Sequence, residues 1–210
     1  MKKWVLLMGI LALCSLLTKT PGYWEVFAED EKKYESVLFY GVIREEYLTD
    51  EQGRKMLQAE LPPLEDGDIL VTDSTYCLLY RHGHAAIVVD ASRGLTLESY
   101  GVGTKSRLSS VSEWRRYPHV LVLRLHAPME VRRAIAQYAK EELIGLPYRL
   151  VTGMVDDKDM KEKYWGTQCA HLVWAAYKRF GYDIDGDLGW LVTPADFVKS
   201  PLLYQVPQKQ

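Results

Sequence analysis

The segment GTQCAHLVWAAYKRFG, residues 166–181, has the pattern of a short loop followed by a helix that packs against the rest of a domain. Thr167 can accept backbone N–H bonds as the N-cap, and Gly181 can end the helix in the left-handed conformation. Apolar residues at helical spacing predict one buried face, which begins with a thiol in the first turn. That face consists of Cys169, Leu172, Val173, Ala176 and Phe180.

Cys169 is open to two interpretations. A helix N-terminus carries about +0.5 charge, which favours a thiolate, so the position suits a nucleophile. Most free cysteines are instead small buried hydrophobic residues. A catalytic thiol needs a base, and the base needs a partner that orients it. The choice therefore depends on the rest of the chain.

The composition is that of an ordinary globular domain. The chain has 210 residues, of which 48% are hydrophobic and 26% charged, and its formal net charge is -2. One domain of this length can bury a full core. Because charges of both signs are interspersed and nearly balanced, we expect no nucleic-acid partner.

The first residues have the features of a secretory signal peptide. Two lysines precede an apolar run over residues 4–17, which is shorter than the roughly 20 residues that span a bilayer. Val26 and Ala28 provide small residues at the −3 and −1 positions of a cleavage site. We therefore predict that residues 1–28 are a signal peptide and that the protein is exported. A lipid anchor on Cys14 and an uncleaved N-terminal anchor are the alternatives.

The charged segment over residues 29–63 favours helix. We expect this helix to be broken near Gly41 or Gly53 and ended by Pro62 and Pro63. It either packs on the domain or forms a loosely held arm, and it carries no evident chemistry.

Residues 64–206 predict strands first and helices afterwards, which is typical of an α+β domain with an antiparallel sheet and helices on one face. A clear helix opens at Pro128, the cysteine helix follows, and Thr193 precedes a further short helix. The predicted strands cover residues 69–71, 84–90, 95–100, 119–125 and 202–207.

His84 is the strongest candidate for the base. It begins the apolar strand HAAIVVD, and small neighbours leave room for a helix to approach. The competing interpretation is a structural histidine, which a lone histidine usually is. His82 falls in a loop and is expected to be solvated. His171 lies about 200° around the helix from Cys169, so we expect a structural or rim role for it.

Glu98 is the strongest candidate for the residue that orients the base. His84 shares a strand face with Ala86 and Val88, and Glu98 shares one with its alternate neighbours. If the two strands form a hairpin, these faces can coincide. A slip of one residue turns Glu98 to the opposite face, in which case it is a surface residue. Asp90 is the second candidate.

Tyr148 lies on a Gly-x-Pro-Tyr loop before the cysteine helix. Its phenol can donate a hydrogen bond to a developing oxyanion, together with the Cys169 backbone N–H. The alternative is an aromatic ring packed over the loop. Export makes a disulfide between Cys77 and Cys169 conceivable. The pattern lacks the paired spacing of a zinc site, and no metal or organic cofactor is expected.

Seven segments, taken in order, resemble the YiiX/YaeF-like permuted papain-fold hydrolases of the wider NlpC superfamily. The resemblance runs from about Asp66 to Leu203 and rests on the order and spacing of the segments together. They are GHAAIVVD, LESYGVG, SVSEW, VLVLRL, IGLPYRL, QCAHLVWAAYKRFG and VTPADFVKSPLL.

The resemblance implies a circularly permuted papain-like domain in which the histidine precedes the cysteine. It implies Cys169 as nucleophile, His84 as base and Glu98 as the third polar residue, with Tyr148 lining the site. The family often has Cys-Ser-Glu where this chain has Cys-Ala-His. A Cys-x-His at this place resembles the lecithin:retinol acyltransferase-like branch.

These observations predict an exported thiol hydrolase that cleaves an amide or isopeptide bond, with cell-wall peptide as the expected substrate. The acyltransferase-like feature implies a lipid ester or acyl-transfer substrate as the second hypothesis. A non-catalytic module that binds wall peptide or lipid is the third. A membrane partner is expected only if the N-terminal segment is retained, and the oligomeric state is not indicated.

Overall fold

A computed structural model describes most of the chain beyond the predicted signal peptide, which itself lies outside the described residues. Among the described residues, no helix is long and apolar enough to cross a membrane. The described residues are 34–39, 43–56, 59–77, 80–150, 152, 158–159 and 164–208.

The fold combines ten described strands, which form two antiparallel sheets, with four described helices. The strands are β1 (Tyr34–Phe39), β2 (Ile43–Leu48), β3 (Ile69–Thr72), β4 (Thr75–Cys77), β5 (Tyr80–Arg81), β6 (His84–Asp90), β7 (Leu95–Glu98), β8 (Arg107–Ser110), β9 (Leu121–Leu125) and β10 (Leu203–Gln205). The helices are α1 (Val111–Trp114), α2 (Met129–Glu142), α3 (Cys169–Lys178) and α4 (Pro194–Lys199).

The larger sheet has the strand order β10-β9-β3-β6-β7-β8, and all of its neighbours pair antiparallel. Near its centre lies β6, which is buried on both faces and consists mainly of small residues followed by β-branched ones. This architecture confirms the predicted α+β class with an antiparallel sheet.

One face of the larger sheet is covered by α2, α3 and α4. All residues from Cys169 to Tyr177 are buried, so α3 is a central helix rather than one with a single inward stripe. Phe180, which was expected on that stripe, lies beyond the helix and is partly exposed. Gly181 has a φ of 85°, which confirms the left-handed ending after the helix.

The opposite face of the sheet is also covered, although helices were expected on one face alone. Trp114, Tyr117 and Tyr47 pack there against Leu70 and Val88. This second layer matters for function because it lies on the same side of β6 as the alternate residues Ala86 and Val88.

The predicted helix over residues 29–63 is wrong for the described part of that segment. The chain instead forms the hairpin β1–β2, and β2 pairs with β4 in the smaller sheet, whose order is β1-β2-β4-β5. Helix propensity is a weak preference that strand pairing overrides. The charged residues also misled, because Glu45 and Glu46 are buried beside partners from distant parts of the chain. Gly53, with a φ of 75°, lies in the turn that follows the hairpin.

Candidate active site

His84 and Glu98 meet because of the register between β6 and β7. Ile87 pairs with Leu97 and Val88 pairs with Thr96, which sets Glu98 on the His84 face one diagonal step away. The His84 Nε2 atom lies 3.0 Å from Glu98 Oε2. The sequence left this register open, and the observed pairing is the one that turns Glu98 to the histidine.

Glu98 is a fully buried carboxylate with a complete set of hydrogen bonds. Oε2 faces the imidazole, while Oε1 accepts from the Thr96 hydroxyl at 2.6 Å and the Trp114 indole N–H at 3.1 Å. Burial opposes ionisation, but the His84 ring and these two donors outweigh it and lower the pKa of Glu98. Glu98 is thus held as a carboxylate that cannot turn away from the histidine.

The imidazole of His84 is buried between two aromatic rings. Trp114 stacks on it at a centroid distance of 5.4 Å, and Tyr100 lies 5.0 Å away. Burial is the largest single effect on the ring and opposes protonation. Hydrogen bonding and charge attraction from Cys169 and Glu98 outweigh it and raise the pKa of His84 to about 10. The two partners therefore favour the protonated form of the ring.

Cys169 stands at the first position of α3 and His84 at the first position of β6, and the two elements pack together. The imidazole interacts with both Cys169 and Glu98, and the Glu98 contact is made by Nε2. Cys169 is a free thiol and is 5% exposed. An imidazolium and a helix N-terminus beside a sulfur form the environment in which cysteine acts as a nucleophile.

Gln168 organises the backbone around the thiol, and the sequence prediction missed it. It is the N-cap of α3, because its side-chain oxygen accepts from Ala170 N at 2.8 Å. The same oxygen lies 3.4 Å from the Cys169 sulfur, and the amide nitrogen donates to Val192 O at 2.6 Å. One side chain therefore joins the helix start, the thiol and the loop before α4.

Thr167 was predicted as the N-cap, and this prediction is wrong. Its hydroxyl bonds Gln168 O at 3.0 Å and lies 3.0 Å from the Nδ1 atom of His171. Serine, threonine, asparagine and aspartate are the usual capping residues, so propensity pointed to the threonine. The glutamine takes the role because its longer side chain folds back over the helix start.

Tyr148 lies beside the loop that enters the cysteine helix. It forms a parallel bridge with Thr167, and its backbone N–H donates to Thr104 O at 2.9 Å. Tyr148 is thus close in the fold to the residues that precede Cys169. Its role as an oxyanion donor stays a prediction.

The other candidates from the sequence lie elsewhere. His171 is fully buried and its Nε2 atom donates to Lys158 O at 2.9 Å, in agreement with the expected structural role. His119 faces Asp73 at 3.2 Å. Asp90 accepts from a turn and from Lys140 at 3.2 Å, so it does not orient His84.

Three carboxylates form a cluster near the end of the chain. Ligand atoms of Asp185, Asp187 and Asp196 lie within 4.8 Å of one another. Lys158 forms an ion pair with Asp185. Asp196 completes the capping box of α4 by accepting from the backbone and hydroxyl of Thr193. These contacts give the two buried carboxylates structural roles.

Trp114, Thr96 and Tyr100 complete the site, and the sequence alone did not identify their roles. The alternation around Glu98 indicated that Thr96 and Tyr100 share its face, but nothing local indicated that Trp114 lies over the imidazole. No protein-family model, curated protein or solved structure matches this chain. The chemistry of the site itself is therefore the basis for inferring function.

Proposed function

We propose that this protein is a cysteine hydrolase that uses Cys169 as nucleophile, His84 as acid and base, and Glu98 as the orienting carboxylate. The observation that carries the proposal is a buried imidazole held between a carboxylate and a free thiol at a helix start. A structural histidine needs no such pair of partners. A thiol next to an imidazole that is oriented by a carboxylate is the set of groups that acyl transfer through a cysteine requires.

The reaction follows from these positions. The Cys169 thiolate attacks the acyl carbonyl, and the Cys169 backbone N–H donates to the oxyanion that forms, whereas the N–H of Ala170 is already bound by Gln168. The His84 imidazolium then gives its proton to the leaving group, which leaves an acyl thioester on the sulfur. Water attacks the thioester while neutral His84 accepts a proton from it. Collapse releases the carboxylic acid and restores the thiolate and imidazolium.

We further propose a circularly permuted papain-like domain of the YiiX/YaeF type, exported by its N-terminal segment. The chain order supports this proposal: a sheet histidine and a carboxylate on the next strand precede the cysteine helix. The proposed substrate is an amide or isopeptide bond in cell-wall peptide.

A lipid acyl substrate is the second candidate, and exposed tryptophans favour it. Trp165 lies four residues before Cys169 and is 70% exposed. Trp190, two residues before the Val192 carbonyl that Gln168 binds, is 79% exposed. Large exposed aromatic rings suit contact with acyl chains at a lipid–water interface.

Thiol labelling separates an enzyme from a binding module. We expect iodoacetamide to label Cys169 faster than Cys77 at neutral pH, and His84→Ala to remove most of the difference. Cys77 serves as the internal control, because both labelling rates are measured by peptide mass spectrometry on the same full-length protein. Equally slow labelling of both cysteines argues against a catalytic thiol.

Product analysis separates the two substrates. The full-length protein is incubated with purified muropeptides and, in a separate reaction, with phospholipid vesicles, and Cys169→Ser is the control in both. We expect a new carboxyl group in the muropeptides. Fatty acid release from the vesicles supports the lipid candidate instead, and the absence of any Cys169-dependent product in both reactions rejects both substrates. His84→Ala is expected to reduce turnover by about 10²–10⁴-fold.

A further inference from the structure

A second buried carboxylate lies behind the proposed catalytic imidazole. Glu45 belongs to β2, in the N-terminal hairpin, and is 2% exposed. Its carboxylate accepts hydrogen bonds from the hydroxyls of Tyr47 and Tyr117, the latter at 3.1 Å. Within the described part of the chain, it forms no ion pair. Burying a carboxylate costs free energy unless hydrogen-bond donors compensate it, and the two phenol hydroxyls are the donors that do so for Glu45.

The two phenols connect Glu45 to the imidazole through ring contacts. Tyr117 stacks on Tyr47 at 5.4 Å and meets Trp114 edge-on at 5.5 Å. Trp114 in turn stacks on His84 and donates its indole N–H to Glu98.

A second connection runs through the tyrosine on the other side of the imidazole. Tyr100 lies 5.0 Å from the His84 ring. Burial is the largest cause of its raised pKa, the charges of Glu98 and Glu45 add to it, and a hydrogen bond with Tyr117 opposes it. The negative charges of both carboxylates therefore act on the Tyr100 hydroxyl.

We propose that Glu45 is a positioning residue for His84. Its carboxylate fixes the phenols of Tyr47 and Tyr117, and these hold Trp114 and Tyr100 against the imidazole. The inference rests on the proposed function, because it assigns a purpose to the orientation of that ring. It also gives the N-terminal hairpin a role in the chemistry of a site built by β6, β7 and α3.

The exchange Glu45→Gln tests this role while keeping the volume of the side chain. One acceptor oxygen becomes an N–H₂ donor that points at a phenol hydroxyl, so that hydrogen bond is lost or must turn. The hydroxyl of Tyr117 or Tyr47 then loses the carboxylate oxygen that accepts its hydrogen bond. Looser packing of Trp114 weakens its bond to Glu98 and the hold on the imidazole.

Glu46→Gln is a matched control. Glu46 is the next residue on β2, is 5% exposed and forms an ion pair with Arg81 at 3.5 Å. It is as buried as Glu45 and lies on the same strand, but it contacts none of the rings around His84 in the hydrogen bonds and ring contacts of the described residues.

The primary measurement is the NMR titration of the His84 imidazole in full-length protein, with the unfolding midpoint as a measure of structural damage. The groups that face the ring are Glu98, Cys169 and Tyr100. Tyr47 and Tyr117 face Glu45, and the charge of Arg116 acts on Tyr47. We expect Glu45→Gln to lower the His84 titration midpoint by about one pH unit, a tenfold change in the proton equilibrium. Glu46→Gln is expected to leave the midpoint unchanged.

Tyr117→Phe provides a second variant if Glu45→Gln does not fold. It removes one hydroxyl from the same connection, so it should lower the midpoint in the same direction. When Glu45→Gln and Tyr117→Phe are combined, their effects on the His84 midpoint should not add, because both remove the same hydrogen bond between Glu45 and Tyr117. A midpoint unchanged in both variants while unfolding stability falls shows that Glu45 is purely structural and overturns the proposal. The titration needs no turnover, so absent hydrolysis of muropeptides and lipids would reject the proposed function separately.

Discussion

Replacing Glu98 with glutamine is the sharpest test of the charge arrangement at the site. The exchange keeps the size of the side chain and removes its negative charge. His84 Nε2 lies 3.0 Å from the carboxylate, and both residues are buried. Two unit charges about 4 Å apart attract each other by about 4 kcal/mol at an effective dielectric constant of 20. This equals about three pH units in the titration of the histidine.

The variant loses the charge attraction but keeps a hydrogen bond to the imidazole. The amide oxygen of glutamine can still accept from His84 Nε2–H, so we expect the pKa of His84 to fall from about 10 by about one to two units. The amide N–H₂ then faces the indole N–H of Trp114, which loses its acceptor. A buried donor left without a partner costs about 1–3 kcal/mol in the free energy of unfolding.

The pH dependence of stability gives an independent signature. The folded pKa of His84 is raised, so its contribution is complete below about 6.5 and is lost as the pH rises through about 10. The folded pKa of Glu98 is lowered, so its contribution is present above about 4.5 and is lost as the pH falls through the lowered value. Wild-type stability should therefore decline from pH 6.5 to 10, and Glu98→Gln should flatten this decline.

The assay is a histidine NMR titration combined with urea unfolding at several pH values. Asp90→Asn is the control, because it removes the same charge at the far end of β6, where Asp90 contacts Lys140 and a turn. An unchanged His84 midpoint in Glu98→Gln would refute the reasoning. So would an equal shift in Asp90→Asn, because the effect would then come from net charge alone.

Two further variants test the parts around the thiol, and a third tests the packing of the domain. Gln168→Ala removes the cap on Ala170 N and should lower the free energy of unfolding by about 1 kcal/mol in urea unfolding, and an unchanged stability would contradict the capping role. Tyr148→Phe should lower kcat on the order of 10²-fold with KM near the wild-type value if the phenol faces the oxyanion, and unchanged kinetics would exclude that role. Gly67→Ala should destabilise the domain by on the order of 1–3 kcal/mol in urea unfolding, because Gly67 has a φ of 85° and an added Cβ would lie 2.7 Å from Arg132 O; wild-type stability would contradict this.

Local patterns were reliable where burial follows a simple period. The alternation along β6 and β7 indicated which residues share a face, and the register, which alternation leaves open, then brings His84 and Glu98 together. Gly181 correctly indicated the end of one helix, and Thr193, which forms a capping box, correctly indicated the start of another. Because these signals depend only on neighbouring residues in the sequence, they can be recognised before the fold is known.

Local patterns failed where a distant partner changed the outcome. A charged segment predicts helix, but the strand pairing of β2 with β4 and the burial of Glu45 against Tyr117 made it a hairpin. Likewise, Thr167 has the better capping propensity, yet Gln168 takes that place and also holds the Val192 carbonyl.

The sequence by itself therefore determined the main strands and helices of residues 64–206, although not β4, β5 or β8, and it placed a thiol, a histidine and a carboxylate at the starts or on the faces of their elements. Only the tertiary structure decided that Trp114 lies over the imidazole and that Glu45 anchors the phenols behind it. The physical reason is that periodicity encodes which face of an element is buried. The identity of the residue that meets that face depends on register and on contacts across dozens of residues, which local propensity does not encode.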